Sequence, residues 1–194
     1  MRKVFIDFET RSLIDLKKVG GWMYSLHPTT SIICLCYKFS DCDDVKVWLP
    51  GQTFPIELQN FVINQGTVCA HNASFEYAIW NHVLKVCELT LDQLICSAAK
   101  SSYFGLPRAL EDVCSAIGVI QKDMTNKKIM MKYSRPYREK LLDIPESDLI
   151  KIIEYCKNDV LCEEAIDNYL PELPEYERRI WLLNEIINNR GIEI

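Results

Sequence analysis

Residues 3–10 read Lys-Val-Phe-Ile-Asp-Phe-Glu-Thr. From Lys3 to Phe8 both faces are apolar until Asp7, as suits a central strand buried on both sides with a carboxylate near its end. Residues two apart on a strand share a face, so Asp7 and Glu9 project together and can reach one cation. Alone, a D-x-E pair is common and describes a solvated strand end equally well.

Working outward, residues 31–39 (SIICLCYKF) and 44–49 (DVKVWL) read as two further strands. The turn Ser40-Asp41-Cys42-Asp43 between them supports a hairpin. Residues 55–64 look helical with Pro55 at the start, and residues 67–70 (TVCA) form a short strand ending at His71-Asn72. A helix is expected from about Ser74 to Leu84, then a strand end and helix over 89–101, then a helix over 107–117 closed by Gly118. The long helix over 146–169 is marked by Leu149, Ile152, Ile153, Cys156 and Val160, which recur on one face. Pro171 and Pro174 break the chain, and a last helix runs from Tyr176 to Asn189. The order β-β-β-α-β-α, with a hairpin before the first helix, indicates an α/β domain with a mixed sheet. No glycine-rich phosphate loop occurs. The chain closes on Ile192-Glu193-Ile194, which reads as the beginning of another element and suggests a fragment of a longer protein.

Composition narrows the class. In 194 residues, 48% are hydrophobic, 25% are charged and the net charge is −5, which excludes intrinsic disorder. One domain with a short appendage is expected at this length. No apolar run approaches the ~18–20 residues of a membrane span, and Asp7 and Glu9 interrupt any signal peptide. Nine cysteines without a CxxC pair read as reduced, structural thiols in a cytosolic setting. The acidic balance argues against a protein that coats nucleic acid, though not against an enzyme acting on it. Residues 120–140 hold seven Lys or Arg against Asp123 and Glu139. This segment reads as loop or irregular helix. It is either a solvated surface or a track for phosphates, with Lys122, Lys127, Lys128, Lys132 and Arg135 as contacts.

Two further groups of polar residues stand at places where chemistry is built. His71-Asn72-Ala73-Ser74-Phe75-Glu76 lies at a strand-to-helix junction, where Asn72 or Ser74 would also serve as a helix cap. Tyr155 and Asp159 are four apart on the long helix and stand one above the other at the edge of its apolar stripe.

The ordered set D-x-E, then N-x-x-F-[DE], then Y-x-x-x-D resembles the motifs of the DEDD exonucleases in their tyrosine branch. Tyr155 excludes the histidine branch. The segments FIDFETRS, DLKKVGGWMYSLHP, AHNASFEYAIW, LPRALEDVCSAIG and YCKNDVLCEEAI are similar to the N-terminal proofreading domain of phage-type family A DNA polymerases. The closing ERRIWLLNEIINNRGIEI is similar to the junction with the polymerase part. One departure stands out, because the family usually has Asp where this chain has Glu76.

The resemblance implies a ribonuclease H-like fold, a five-stranded mixed sheet flanked by helices. Residues 1–170 would form the exonuclease domain, and residues 171–194 a linker helix leading towards a polymerase domain. It also implies removal of 3′-terminal nucleotides from DNA by two divalent cations, Mg²⁺ with Mn²⁺ as a substitute. Asp7, Glu9, Glu76 and Asp159 would hold the cations: Asp7 would bridge both, Glu9 and Asp159 would complete the first site, and Glu76 would act through water. Tyr155 would orient the attacking water, and Asp92 would stand in should Glu76 prove only a helix-start residue. Phe8, Thr10, His71, Asn72 and Phe75 would line the terminal nucleotide, although capping explains Asn72 and core packing explains Phe8, Phe75 and Tyr77. The implied partners are a primer 3′ end or single-stranded DNA and a polymerase domain in the same or another chain. A monomer in the cytoplasm (of a bacterial host, if phage-encoded) is expected. A free-standing exoribonuclease of the ribonuclease D type and a silent primer-binding module are the alternatives.

Overall fold

The computed structural model describes residues 2–119 and 124–191. Lys3–Arg11 (β1) is the middle strand of a five-stranded mixed sheet. Ser31–Phe39 (β2) runs antiparallel on one side of it, with Lys46–Trp48 (β3) beyond. Thr67–Ala70 (β4) runs parallel on the other, with Leu94–Cys96 (β5) beyond. Alternation along β1 divides its side chains between two cores. Val4, Ile6 and Phe8 enter one, and Phe5 enters the other.

On the first face lie Leu16–Leu26 (α1), Ile56–Ile63 (α2) and Ser74–Ile79 (α3), which contribute Tyr24, Leu58, Val62 and Ile79 to the core. On the second face lies Glu146–Tyr169 (α7), the helix expected from the apolar stripe. Ile152, Cys156 and Val160 of this helix pack on Phe5, Cys34 and Cys36 of the sheet. Ser97–Tyr103 (α4) and Leu110–Ile117 (α5) follow β5. Leu110, Val113 and Cys114 of α5 meet Cys162, Ile166 and Leu170 further along α7. Gly118, at φ +70°, closes α5 as anticipated.

Four elements depart from the sequence reading. Helix α1 stands between β1 and β2, so the hairpin does not precede the first helix. Gly20-Gly21 obscures this helix, and Gly20 does break it at φ +77°. Asp15 starts it by accepting from the Lys17 N–H at 2.9 Å, and the buried Tyr24 holds it down. The basic segment, read as loop or irregular helix, is regular over Met124–Ser134 (α6). Buried Tyr133, with Ile129 and Met130, docks this helix on the α7 side of the sheet. The strand expected over 44–49 shortens to Lys46–Trp48, and the helix expected over 74–84 leaves α-geometry for a π turn at Trp80–Leu84.

Glu175–Arg190 (α8) returns to the body of the molecule. Trp181 packs against the first core, Arg178 donates to the Asp92 carbonyl, and the Ser74 hydroxyl donates to Glu185 at 2.6 Å. All nine cysteines are free thiols, as expected. Among the described residues no helix is long and apolar enough to cross a membrane.

Candidate active site

The site forms where β1 crosses α7. Asp7 and Glu9 stand level with Cys36 and Cys34 of β2, on the sheet face that α7 covers. Helix α7 is fixed over them by its apolar stripe, and the neighbouring stripe is polar. Tyr155, Asp159, Glu163 and Asp167 recur every fourth residue and are all buried. Asp7, Glu9 and Asp159 each bring one carboxylate oxygen within 4.8 Å of the others. Like charges held this close are costly unless cations neutralise them.

Glu76 enters from the first turn of α3 and is 3% exposed. Burial, and then the charge of Asp7, raises its carboxyl well above the ordinary 4.5. Asp7, Glu9 and Asp159 of the sequence-predicted quartet are therefore brought together, and Glu76 lies near enough to feel the charge of Asp7. Asp92 is not part of it. It lies just before β5, at the opposite end of the parallel strands from the exit of β4. Tyr155 is 4% exposed, and its phenol is pushed far above its usual range by burial and then by Asp159, Glu9 and Asp7. It is thus a neutral hydroxyl and a hydrogen-bond donor.

The donor set suits hard cations. Every group is a carboxylate oxygen, the ligand preferred by Mg²⁺ and Mn²⁺. Glu76 Oε2 and Glu163 Oε2 are buried and have no hydrogen-bond partner among the described residues. Glu163 escapes notice in the sequence, although its signal is simple: the Tyr155–Asp159 spacing continues by one more step of four.

The β4–α3 junction is built by hydrogen bonds of its own. The His71 ring meets Ser97 Oγ at 2.8 Å through Nδ1 and the Arg108 carbonyl at 2.8 Å through Nε2. Asn72 adopts φ +66° and accepts from Arg108 at 3.4 Å. No side chain caps α3, so neither Asn72 nor Ser74 plays the capping role open to it from sequence.

Two pockets flank the acidic cluster. One of about 210 Å³ is lined by Phe8, Glu9, Thr10, Phe75, Met131 and Arg135. The other, about 660 Å³, is lined by Trp22, His71, Asn72, Glu76, Arg108 and Asn184. Phe8 is mostly core, edge-on to Trp80 at 6.4 Å, and Thr10 Oγ1 lies 3.1 Å from the Tyr24 hydroxyl. Phe75 is tilted against Tyr24 at 6.1 Å, while Tyr77 packs on the first core. Of the basic residues, Arg135 reaches a pocket and Lys128 is exposed on α6. Lys127 pairs with Glu111, and Lys132 lies 2.9 Å from the Tyr133 hydroxyl and 3.8 Å from Asp148. Lys122 lies outside the described residues.

This sheet order, with helices on both faces, is a ribonuclease H-like fold. Among solved structures it is similar to the family B DNA polymerase of Pyrobaculum calidifontis (TM-score 0.55, 11% identity, 87% of this chain and 24% of that one). It is also similar to Brucella melitensis NrnC (TM-score 0.53, 16% identity, 86% and 71%). The chain is homologous to a phage DNA polymerase, that of Bacillus phage SP02, at 32% identity over its full length. It spans only about a third, 32%, of that polymerase. No protein-family model matches the chain.

Proposed function

We propose that the chain is a metal-dependent 3′→5′ exonuclease that removes terminal nucleotides from single-stranded or mismatched DNA ends and edits for a DNA polymerase. The observation that carries this reading is the convergence of Asp7, Glu9 and Asp159 oxygens within 4.8 Å beneath a neutral Tyr155. Homology to a phage DNA polymerase supports the polymerase setting, and NrnC, similar in fold, has been solved with bound Mg²⁺. On this reading residues 1–170 form the nuclease unit, residues 171–194 lead towards the polymerase, and the work is done in a bacterial host cytoplasm.

Two divalent cations, when bound, would activate the attacking water and stabilise the leaving 3′ oxygen. Asp7, whose charge reaches Glu76 as well as Tyr155, would hold both cations. Glu9 and Asp159 would complete one position, and Glu76 would serve the other through water. Tyr155 keeps its proton at neutral pH, so it orients the water by donating and does not act as the base. Phe8, Thr10 and Phe75 shape the pocket beside Glu9 for the terminal nucleotide, with Arg135 at its rim for phosphate. His71 and Asn72 line the second pocket.

A second reading, a free-standing exoribonuclease of the ribonuclease D type, draws support from the structure of NrnC, a nuclease of similar fold, bound to pGG. Matched 5′-labelled DNA and RNA strands, incubated with and without Mg²⁺, separate the two. Mg²⁺-dependent shortening of the DNA from its 3′ end is the expected result. Preference for RNA selects the second reading, and an intact strand of both kinds with Mg²⁺ and Mn²⁺ defeats both.

A further inference from the structure

The polar stripe of α7 contains two buried acids beyond Asp159, and the fold treats them differently. Asp167, 8% exposed, is neutralised. Lys3 Nζ reaches it at 2.7 Å and the wholly buried Lys100 Nζ at 2.5 Å. Glu163, 1% exposed, has no ion pair among the described residues. One of its oxygens, Oε1, accepts the main-chain N–H of His71 at 2.9 Å, and the other is buried without a hydrogen-bond partner. Its adjacent residue Glu164 faces elsewhere and pairs with Lys38. An uncompensated buried carboxylate is among the costliest groups a domain can carry. Its surroundings, in order of influence, are burial itself, then Asp7 and Glu76, with Asp159 also contributing. Glu163 thus holds the strand-to-helix junction with one oxygen, while the other is buried without a partner and the side chain feels the charges of the acidic cluster.

That junction is the support of Glu76. His71 is fixed through its N–H and both ring nitrogens, Asn72 takes the left-handed φ of +66°, and α3 begins two residues later without a side-chain cap. A non-glycine residue in this region costs about 1 kcal/mol or more and persists where neighbouring contacts over-determine it. The His71 N–H contact comes from the same helix as Tyr155 and Asp159. It ties the chain just before Glu76 to that helix.

We propose that Glu163 is a positioning residue of the site, a fifth carboxylate that locks the β4–α3 junction to α7 through the His71 N–H and so places Glu76 opposite Asp7. The proposal rests on the nuclease reading for its catalytic consequence, although the junction lock itself does not.

The test uses the whole chain with Glu163→Gln, Glu163→Ala, Glu76→Ala and the Glu76→Ala/Glu163→Ala double variant. Gln keeps an oxygen for the His71 N–H, so Glu163→Gln holds the parent's rate to within about threefold. Glu163→Ala lowers kcat about tenfold or more with KM little changed, the scale seen when a supporting partner of a metal ligand is lost. In the Glu76→Ala background, Glu163→Ala adds less than about twofold, because the group it places is gone. Independently of activity, the His71 amide exchanges with solvent faster in Glu163→Ala and at the parent's rate in Glu163→Gln. An unchanged His71 amide in a folded Glu163→Ala overturns the proposal. So does a full second loss in the double variant, or a Gln variant as impaired as Ala, which would make the charge the working feature. Should Glu163→Ala fail to fold, the rate of Glu163→Gln decides alone. A parent inactive on every strand defeats the nuclease reading and leaves the amide measurement standing.

Discussion

The thiol of Cys156 donates to the main-chain carbonyl of Asp7 at 3.2 Å. The helix residue next to Tyr155 is thereby bonded to the strand residue that Tyr155 and Asp159 face. Its sulfur also lies within 4.8 Å of those of Cys34 and Cys36, so it fills the space between α7 and the sheet directly beneath the acids. Cys156→Ala leaves the Asp7 carbonyl without its donor and opens a small void. A stability loss of about 1–3 kcal/mol is expected. Urea unfolding measures it, and an unshifted midpoint would show that the bond adds nothing.

Asp7→Ala and Asp159→Ala each remove a carboxylate from the cluster and relieve crowding of like charge. Both abolish strand shortening, while the metal-free melting temperature stays level or rises. Parent-like cleavage by either purified variant would sink the placement of the site.

Tyr155→Phe removes the hydroxyl and no carboxylate. The cleavage rate falls, and calorimetric titration with Mn²⁺ gives an affinity close to the parent's. Loss of Mn²⁺ binding in a folded variant would transfer the hydroxyl's role from water to cation.

Stability should depend on pH through Glu76. Its folded pKa is raised well above 4.5 by burial and by Asp7, so in the metal-free protein the folded state holds the proton more tightly than the unfolded chain does. The group therefore favours folding most below about pH 4.5, and the benefit is lost as pH climbs from there through the raised folded value. Between about pH 5 and 8, melting temperatures of the metal-free parent should fall relative to Glu76→Gln. Added Mn²⁺ should close the gap at the alkaline end. Parallel melting curves for the two proteins across that range, without metal, would refute the account.

What the sequence discloses follows from spacing. Asp7 with Glu9, and Tyr155 with Asp159, are legible because strand and helix periods each dictate a shared face, and α7 is legible because its stripe runs uninterrupted. Helix α1 is illegible because Gly20-Gly21 lies in its middle, and its docking through Tyr24 is a tertiary fact. Helix α6 is hidden by its lysines, since Ile129, Met130 and Tyr133 identify themselves only against α7. Spacing alone puts Glu163, and not Glu164, in line with Tyr155 and Asp159, but it does not say which of the two is buried. Glu163 accepts the His71 N–H and Glu164 pairs with Lys38, a difference set by the rotation of α7 on the sheet.

The burial of Glu76 also bears on how this chain tolerates change. Folding alone would prefer an uncharged residue at this position. A replacement such as Glu76→Gln would therefore leave as much protein in the cell as before, or more. On the editing reading, defective alleles would then be silent in any screen that counts molecules and visible only in one that counts errors. On the nuclease reading, an inactive product made in full amount would still compete with the working protein for the same strand ends.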